Sequence, residues 1–177
     1  GSRLKPMTAV VNKHLLAVYD KPLIYYPLAT IMLSGVREIM FIVRPEDRES
    51  YRRLLGDGAH LGLKIGYCLQ DRPRGIAEAF LLAKDFIGSD HVVLALGDNI
   101  FFGHALRGIL EGARSYTEGA TIFCYRVSDP QRFGVAELDS QDRVVALVEK
   151  PEQPRSNYAV TGLYFYDGRA VDYAHRI

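Results

Sequence analysis

The chain begins Gly1, Ser2, Arg3, with further cations at Lys13 and Lys21. A glycine lets backbone approach an anion closely, and an arginine grips phosphate oxygens as a planar fork. Lys13 adds a point charge. Phosphoryl chemistry runs on such positioning and charge neutralisation. The plainer reading of the same residues is an ordinary surface Arg and Lys behind a glycine. Asp98 in "LALGDN" follows an apolar run beyond a single glycine. A carboxylate on a rigid strand end suits Mg²⁺, a hard cation that takes oxygen ligands. Asp98 could equally cap the helix beginning near His104 or close an Asx turn. His104 reads as a structural or capping residue, because no second histidine stands at metal-ligand spacing.

Two more polar clusters carry possible chemistry. In "LQDRPRG", Gln70 offers a donor and an acceptor, as a nucleobase edge requires, and Gly75 leaves room for a flat base against backbone. The alternative is a plain strand-to-helix loop. In "VEKP", Glu149 could accept from sugar hydroxyls and Lys150 could meet a sugar phosphate, or the pair could be a solvated surface. Asn157, Val160 and Gly162 in "NYAVTGLYFYD" stand near a possible sugar pocket, while Tyr164, Phe165 and Tyr166 read as strand packing.

The elements that must position these residues alternate. Residues 37–43, 63–70, 90–96 and 120–127 are short apolar runs and read as buried strands. Residues 44–58, 75–88 and 104–117 read as helices. The first has Pro45, Glu46 and Asp47 at its start, Arg52 and Arg53 near its end, and Gly56 as a stop, the polarity that suits a helix dipole. This alternation predicts an α/β sheet, mostly parallel and covered on both faces. Residues 133–151 then read as a hairpin and 157–167 as one more strand. In open α/β sheets ligands bind beyond the carboxyl ends of the strands. "LQDRPRG", "LGDN" and "VEKP" all stand at such ends.

Composition narrows the function. The chain has 177 residues, 48% of them apolar, and a formal net charge of +1. That length suits one domain over residues 1–177 with a full core. Near-neutral charge and the lack of a basic-aromatic stripe argue against a nucleic-acid partner. No apolar run has the length of a membrane span. Cys68 and Cys124 lie far apart inside apolar stretches and read as buried free thiols in a reducing, cytoplasmic setting.

Taken together the motifs resemble the sugar-1-phosphate nucleotidyltransferases. The family pattern is a strand, then G-G-x-G-[ST]-R-L-x-P-x-T, then a Lys and a Lys-Pro pair. Here "GSRLKPMT", Lys13 and "DKP" match it in order, as do "LGDN" and "VEKP". The resemblance covers essentially the whole chain. Within the family, "NKHLLAVYDKPLIYYPLATIMLSGVREI", "LLGDG" and "LGDNIFFGH" look most like members that join dTTP to glucose 1-phosphate, for pathways such as dTDP-rhamnose synthesis.

The resemblance implies a three-layer α/β/α Rossmann-like nucleotidyltransferase fold, incomplete at both ends. The family's first strand and two loop glycines would precede Gly1. Its second metal carboxylate and much of its oligomer-forming region would follow Ile177. The absent strand would be a central one, leaving its neighbours with unpaired edges, and the chain alone would turn over its substrates poorly. By position, Gly1, Ser2 and Arg3 would bind the triphosphate, Lys13 would neutralise the reacting phosphates, and Asp98 would bind Mg²⁺. Gln70 would pair with thymine, helped by Gly75. Gly134, Glu149, Lys150 and Val160 would line the sugar-phosphate site. The whole enzyme would be a homo-oligomer. Ser2, His14, Ala17 and Phe133 depart from the commoner residues. A UTP-using or GTP-using sister enzyme, or a non-catalytic nucleotide-binding domain, remain the alternatives.

Overall fold

The computed structural model describes residues 4–72, 74–116 and 118–177. Its first strands are short, β1 (Ala17–Val18) and β2 (Lys21–Pro22), paired antiparallel. Helix α1 (Tyr25–Leu33) follows, in a stretch where the sequence signals no helix. Pro27 sits in its first turn, where its missing N–H costs nothing. The helix is apolar on most of its surface because it is covered. Leu28 belongs to the core that also holds Ile39, Val43, Tyr51 and Ile65.

Strands β3 (Glu38–Val43) and β4 (Lys64–Leu69) pair in parallel, linked by helix α2 (Arg48–Leu55). That helix carries the expected polarity: Glu49 in its first turn, Arg52 and Arg53 in its last, and Gly56 at φ 58° as its stop. The single helix expected over residues 75–88 is instead two, α3 (Glu78–Leu82) and α4 (Lys84–Ile87). Ala83, at φ −98° and ψ 11°, is buried between them beside Phe80 and Ile87. The start is later than expected because Gly75 takes φ 100°.

Strands β5 (Val92–Ala95) and β6 (Ala120–Arg126) are joined through helix α5 (Leu106–Ser115). The hairpin β7 (Gly134–Leu138) and β8 (Val144–Glu149) leads to β9 (Tyr158–Tyr166) and helix α6 (Ala170–Ala174). Asp139 closes the hairpin turn by accepting from the amides of Gln141 and Arg143. The expected mostly parallel sheet proves mixed. β5 and β6 run the same way, as a helical crossover dictates, but β9 lies antiparallel between them and also pairs with β7. The hairpin reverses the chain and so returns β9 against its neighbours.

Alternate residues of each strand face opposite layers, as the pleat requires. On β3, Ile39 and Val43 join the core under α1 and α2, while Met40 and Ile42 meet α3, α4 and α6. On β5, Val93 and Ala95 meet α5, while Val92 and Leu94 join the α3–α6 side. Helices therefore cover both faces. Among the described residues β3 and β5 do not pair with each other. A cavity of about 750 Å³ lies between them, lined by Met40, Ile42, Val93 and Ala95. Its lining runs from Glu38 and His91 near the amino ends of the strands to His14, Gln70, Gly75 and Gly97 beyond their carboxyl ends. The two cysteines are free and half-buried, less enclosed than the apolar context predicts.

Candidate active site

Lys13 lies in a 3-10 turn, Lys13–Leu15, whose N-cap is Asn12. The Asn12 side-chain oxygen Oδ1 accepts from the His14 amide at 2.9 Å, an Asx-type closure. Its amide nitrogen donates to Asp47 Oδ2 at 2.6 Å. Asp47 is buried and is also held by Arg44, whose Nε and Nη2 both stand 2.9 Å from Oδ2. His14 Nδ1 lies 3.0 Å from the Tyr51 hydroxyl. Burial pushes the His14 pKa down, against the pull of Asp98 and Asp47, so the ring is neutral near pH 7. Burial pushes the Tyr51 hydroxyl well up. These bonds anchor the Lys13 turn to the end of β3 and the start of α2.

Asp98 stands just beyond β5. Lys13 Nζ reaches its Oδ2 at 2.5 Å. Burial alone would raise the Asp98 pKa, but the Lys13 hydrogen bond and charge outweigh it and hold the carboxyl below its usual range. Asn99 donates to Asp98 Oδ1 at 3.1 Å and accepts from the Gly162 amide on β9 at 3.2 Å. Two glycines make this turn fit. A Cβ on Gly97 would stand 2.9 Å from His14 Nδ1, and one on Gly162 would stand 2.7 Å from Leu96 Cβ. Asp98 therefore neither caps α5, whose N-cap is Ala105, nor forms an isolated turn. His104 is exposed and is not that cap either.

Gln70 follows β4 directly, and its amide donates to Val43 O at 2.9 Å. Its side-chain Nε2 donates to Glu78 Oε2 at 2.5 Å, and Glu78 Oε1 accepts from Arg74 Nη1 at 2.6 Å. A Cβ on Gly75 would meet open space, so glycine is required there by the positive φ and not by crowding.

On the other side of Asp98, Gly134 pairs in register with Glu149. A Cβ on Gly134 would stand 3.1 Å from Glu149 Oε2 and 3.9 Å from Val160 Cβ, so these three converge. Val160 stands two residues before Gly162 on β9. Lys150 Nζ lies 2.9 Å from Glu149 Oε1, and both side chains are exposed. Burial, with the Glu149 charge behind it, raises the Tyr164 pKa. The structure thus brings Lys13 to Asp98, puts Gln70 and Gly75 on the cavity that their chain neighbours His14 and Gly97 also line, and gathers Gly134, Glu149, Lys150 and Val160 on the hairpin side. Gly1, Ser2 and Arg3 lie outside the described residues. Sequence reasoning missed Asn12, Asp47, Tyr51, Glu78 and Asn99. The Asn before "KH" and the Asn after Asp98 are the only cues, both weak.

No group of three or more His, Cys, Asp or Glu fit to hold a metal occurs among the described residues. The Asp98 carboxylate, 30% exposed beside Lys13, is an oxygen donor of the kind Mg²⁺ takes singly or in pairs, with the rest of its shell from phosphate and water.

The sequence model of the family described as nucleotidyl transferase matches residues 1–177, and the chain belongs to that family. It is 52% identical over its whole length to the glucose-1-phosphate thymidylyltransferase of Neisseria meningitidis serogroup A, covering 62% of that protein. It is 54% identical over 174 residues to the one of Xanthomonas campestris pv. campestris, covering 98% of this chain and 59% of the relative. The chain thus spans about three fifths of the length of these relatives. A Bacillus anthracis structure, provisionally named glucose-1-phosphate thymidylyltransferase and solved with a sucrose, superposes with a TM-score of 0.89. Its sequence is 40% identical, over 97% of this chain and 69% of that one. The structure of UDP-glucose pyrophosphorylase complexed with UDP-glucose shares the fold, at a TM-score of 0.82 and 22% identity.

Proposed function

We propose that this chain carries the substrate face of an enzyme that transfers a thymidylyl group from dTTP to glucose 1-phosphate, giving dTDP-glucose and pyrophosphate. The observation that carries the reading is the Lys13–Asp98 pair, flanked by Gln70 and Gly75 on one side and by Gly134, Glu149 and Val160 on the other. The relatives' names supply the substrates.

The reaction is an in-line displacement. A phosphate oxygen of glucose 1-phosphate forms a bond to the α-phosphorus of dTTP. The bond from that phosphorus to the bridging oxygen breaks, and pyrophosphate leaves with its electron pair. Lys13 neutralises charge on the phosphates at the reacting centre, and Gly1, Ser2 and Arg3 hold the triphosphate. Asp98 would hold Mg²⁺, which supplies charge neutralisation when bound. Gln70 pairs with the thymine, over Gly75. Glu149 accepts from sugar hydroxyls, Lys150 meets the sugar phosphate, and Gly134 and Val160 shape that pocket. No protein nucleophile is required, because the sugar phosphate is itself the nucleophile. The enzyme would work in the cytoplasm as a homo-oligomer and feed pathways such as dTDP-rhamnose synthesis. No helix among the described residues is long and apolar enough to cross a membrane.

The test is a thermal-shift panel of dTTP, UTP, GTP and an oligonucleotide, each with Mg²⁺. A ligand of the native state raises the melting temperature with concentration. The expected result is a shift with dTTP that exceeds the others. A larger shift with UTP or GTP assigns a sister activity, and a shift with the oligonucleotide alone overturns the reading.

A further inference from the structure

We infer that Glu78 is a positioning residue that fixes which way Gln70 presents its amide, and thereby selects the class of base the site accepts. The inference rests on the reading of Gln70 as the residue that meets the base.

A glutamine amide has one end that donates and one that accepts, and its role in recognition depends on which end faces the ligand. Left free, Gln70 could offer either. It is not free. Its backbone is fixed by the bond from its N–H to Val43 O, at the carboxyl end of the parallel pair β3–β4. Its side chain reaches the first residue of α3, where Nε2 lies 2.5 Å from Glu78 Oε2. A carboxylate only accepts, so the end of Gln70 that faces Glu78 must be the nitrogen. The orientation follows from the chemistry of the partner.

The carboxylate is itself held. Its other oxygen accepts from Arg74 Nη1 at 2.6 Å, and Arg74 Nη2 stands 3.8 Å from Asp71 Oδ2. The Glu78 side chain is 13% exposed and that of Arg74 60%, so the arginine covers the carboxylate from the solvent side. Charge-assisted bonds of this kind are the stronger ones. The result is a relay from Arg74 through Glu78 to Gln70, around the loop that contains Gly75.

With one Nε2 hydrogen given to Glu78, Gln70, which lines the cavity, keeps Oε1 as an acceptor and its second Nε2 hydrogen as a donor. A base meets that acceptor favourably by offering a ring N–H. Thymine and uracil do so at N3, and guanine does so at N1. Cytosine and adenine present a lone pair at the corresponding ring position, which would face the Gln70 oxygen. The relay therefore favours an imide-type base and disfavours cytosine.

The experiment measures the affinities of dTTP, dCTP and inorganic tripolyphosphate for the unmodified chain, Glu78→Gln and Gln70→Ala, by calorimetric titration. Glu78→Gln is nearly isosteric, but its amide can donate or accept, so it no longer dictates the orientation of Gln70. Circular dichroism checks that each variant keeps its fold. The expected result is a preference for dTTP over dCTP that falls about tenfold in Glu78→Gln, with tripolyphosphate binding unchanged. If Gln70→Ala loses the preference and Glu78→Gln keeps it, the base-reading role stands and the role of Glu78 is overturned. Equal weakening of all three ligands by Glu78→Gln also overturns it, because a purely structural role would do that. If the unmodified chain does not distinguish dTTP from dCTP, the reading of Gln70 falls and the inference with it.

Discussion

Lys13 Nζ and Asp98 Oδ2 meet at 2.5 Å although 85 positions separate them in the chain. The pair joins a turn anchored on β3 and α2 to the end of β5. It sets a cation beside a carboxylate where phosphate and metal would each have a partner.

Removing the cation should move the carboxyl. Lys13 holds the Asp98 pKa down against burial. In Lys13→Met, the Asp98 carboxyl should titrate at higher pH than in the parent, as read by carboxyl carbon NMR. The folded pKa lies below the unfolded one, so the pair's contribution to stability is present above the ordinary Asp range and is lost as pH falls through the folded value. Both side chains are about one third exposed, so that contribution should stay below about 1 kcal/mol.

Asp98→Asn should remove the effect of Mg²⁺ on dTTP binding while the fold stays intact, since the amide keeps the size and loses the charge. Titration of dTTP with and without Mg²⁺ checks this. An undiminished Mg²⁺ effect in the variant would mean that the cation sits elsewhere.

His14 should make stability depend on pH. Its folded pKa is depressed, chiefly by burial, so the unfolded state binds a proton that the folded state resists. The contribution is whole above the ordinary histidine range, about pH 6.5, and is lost as pH falls toward the folded value. Between pH 7 and pH 5 the melting temperature of the parent should therefore fall further than that of His14→Gln. Parallel curves for the two would show that the ring does not resist protonation.

Asp47→Ala should destabilise the chain by about 1–3 kcal/mol, because it leaves Asn12 and Arg44 without their shared partner. Urea denaturation measures the loss. A cost near zero would mean that water replaces the carboxylate and that the Lys13 turn is held by other contacts.

Gly162→Ala should cost about 1–3 kcal/mol by overpacking, since its methyl would press on Leu96 Cβ, a side-chain atom with no freedom to swing away. The same change should weaken nucleotide binding, as Asn99 loses its place against β9. Denaturation and dTTP titration on one sample separate the two effects.

The sequence shows the layered α/β pattern because buried strands such as residues 37–43 and 90–96 are continuous apolar runs, and because helix α2 carries its polarity in its charges. It hides α1, which is covered widely enough to lose its amphipathic stripe. It also hides the break at Ala83, an ordinary helix former whose backbone is set by packing. Lys13, Asp98, Gln70 and Glu149 stand out by residue type at strand ends, and motif resemblance gives them their roles. Their partners Asn12, Asp47 and Glu78 do not stand out, because a hydrogen bond between two side chains on different elements leaves no period in the sequence. The place of β9 between β5 and β6 is likewise a matter of long-range pairing. A strand reading of residues 157–167 is silent about its neighbours.

The central claim is that one surface holds a nucleotide at Gln70 and a sugar phosphate at Glu149, with Lys13 and Asp98 between them. Amide shift mapping by NMR tests this most directly, with dTTP and glucose 1-phosphate added separately in the presence of Mg²⁺. The account predicts that dTTP moves the signals of Lys13, Gln70, Gly75 and Asp98, and that glucose 1-phosphate moves those of Gly134, Glu149, Lys150 and Val160. Shifts that leave both groups in place while moving residues elsewhere would contradict it.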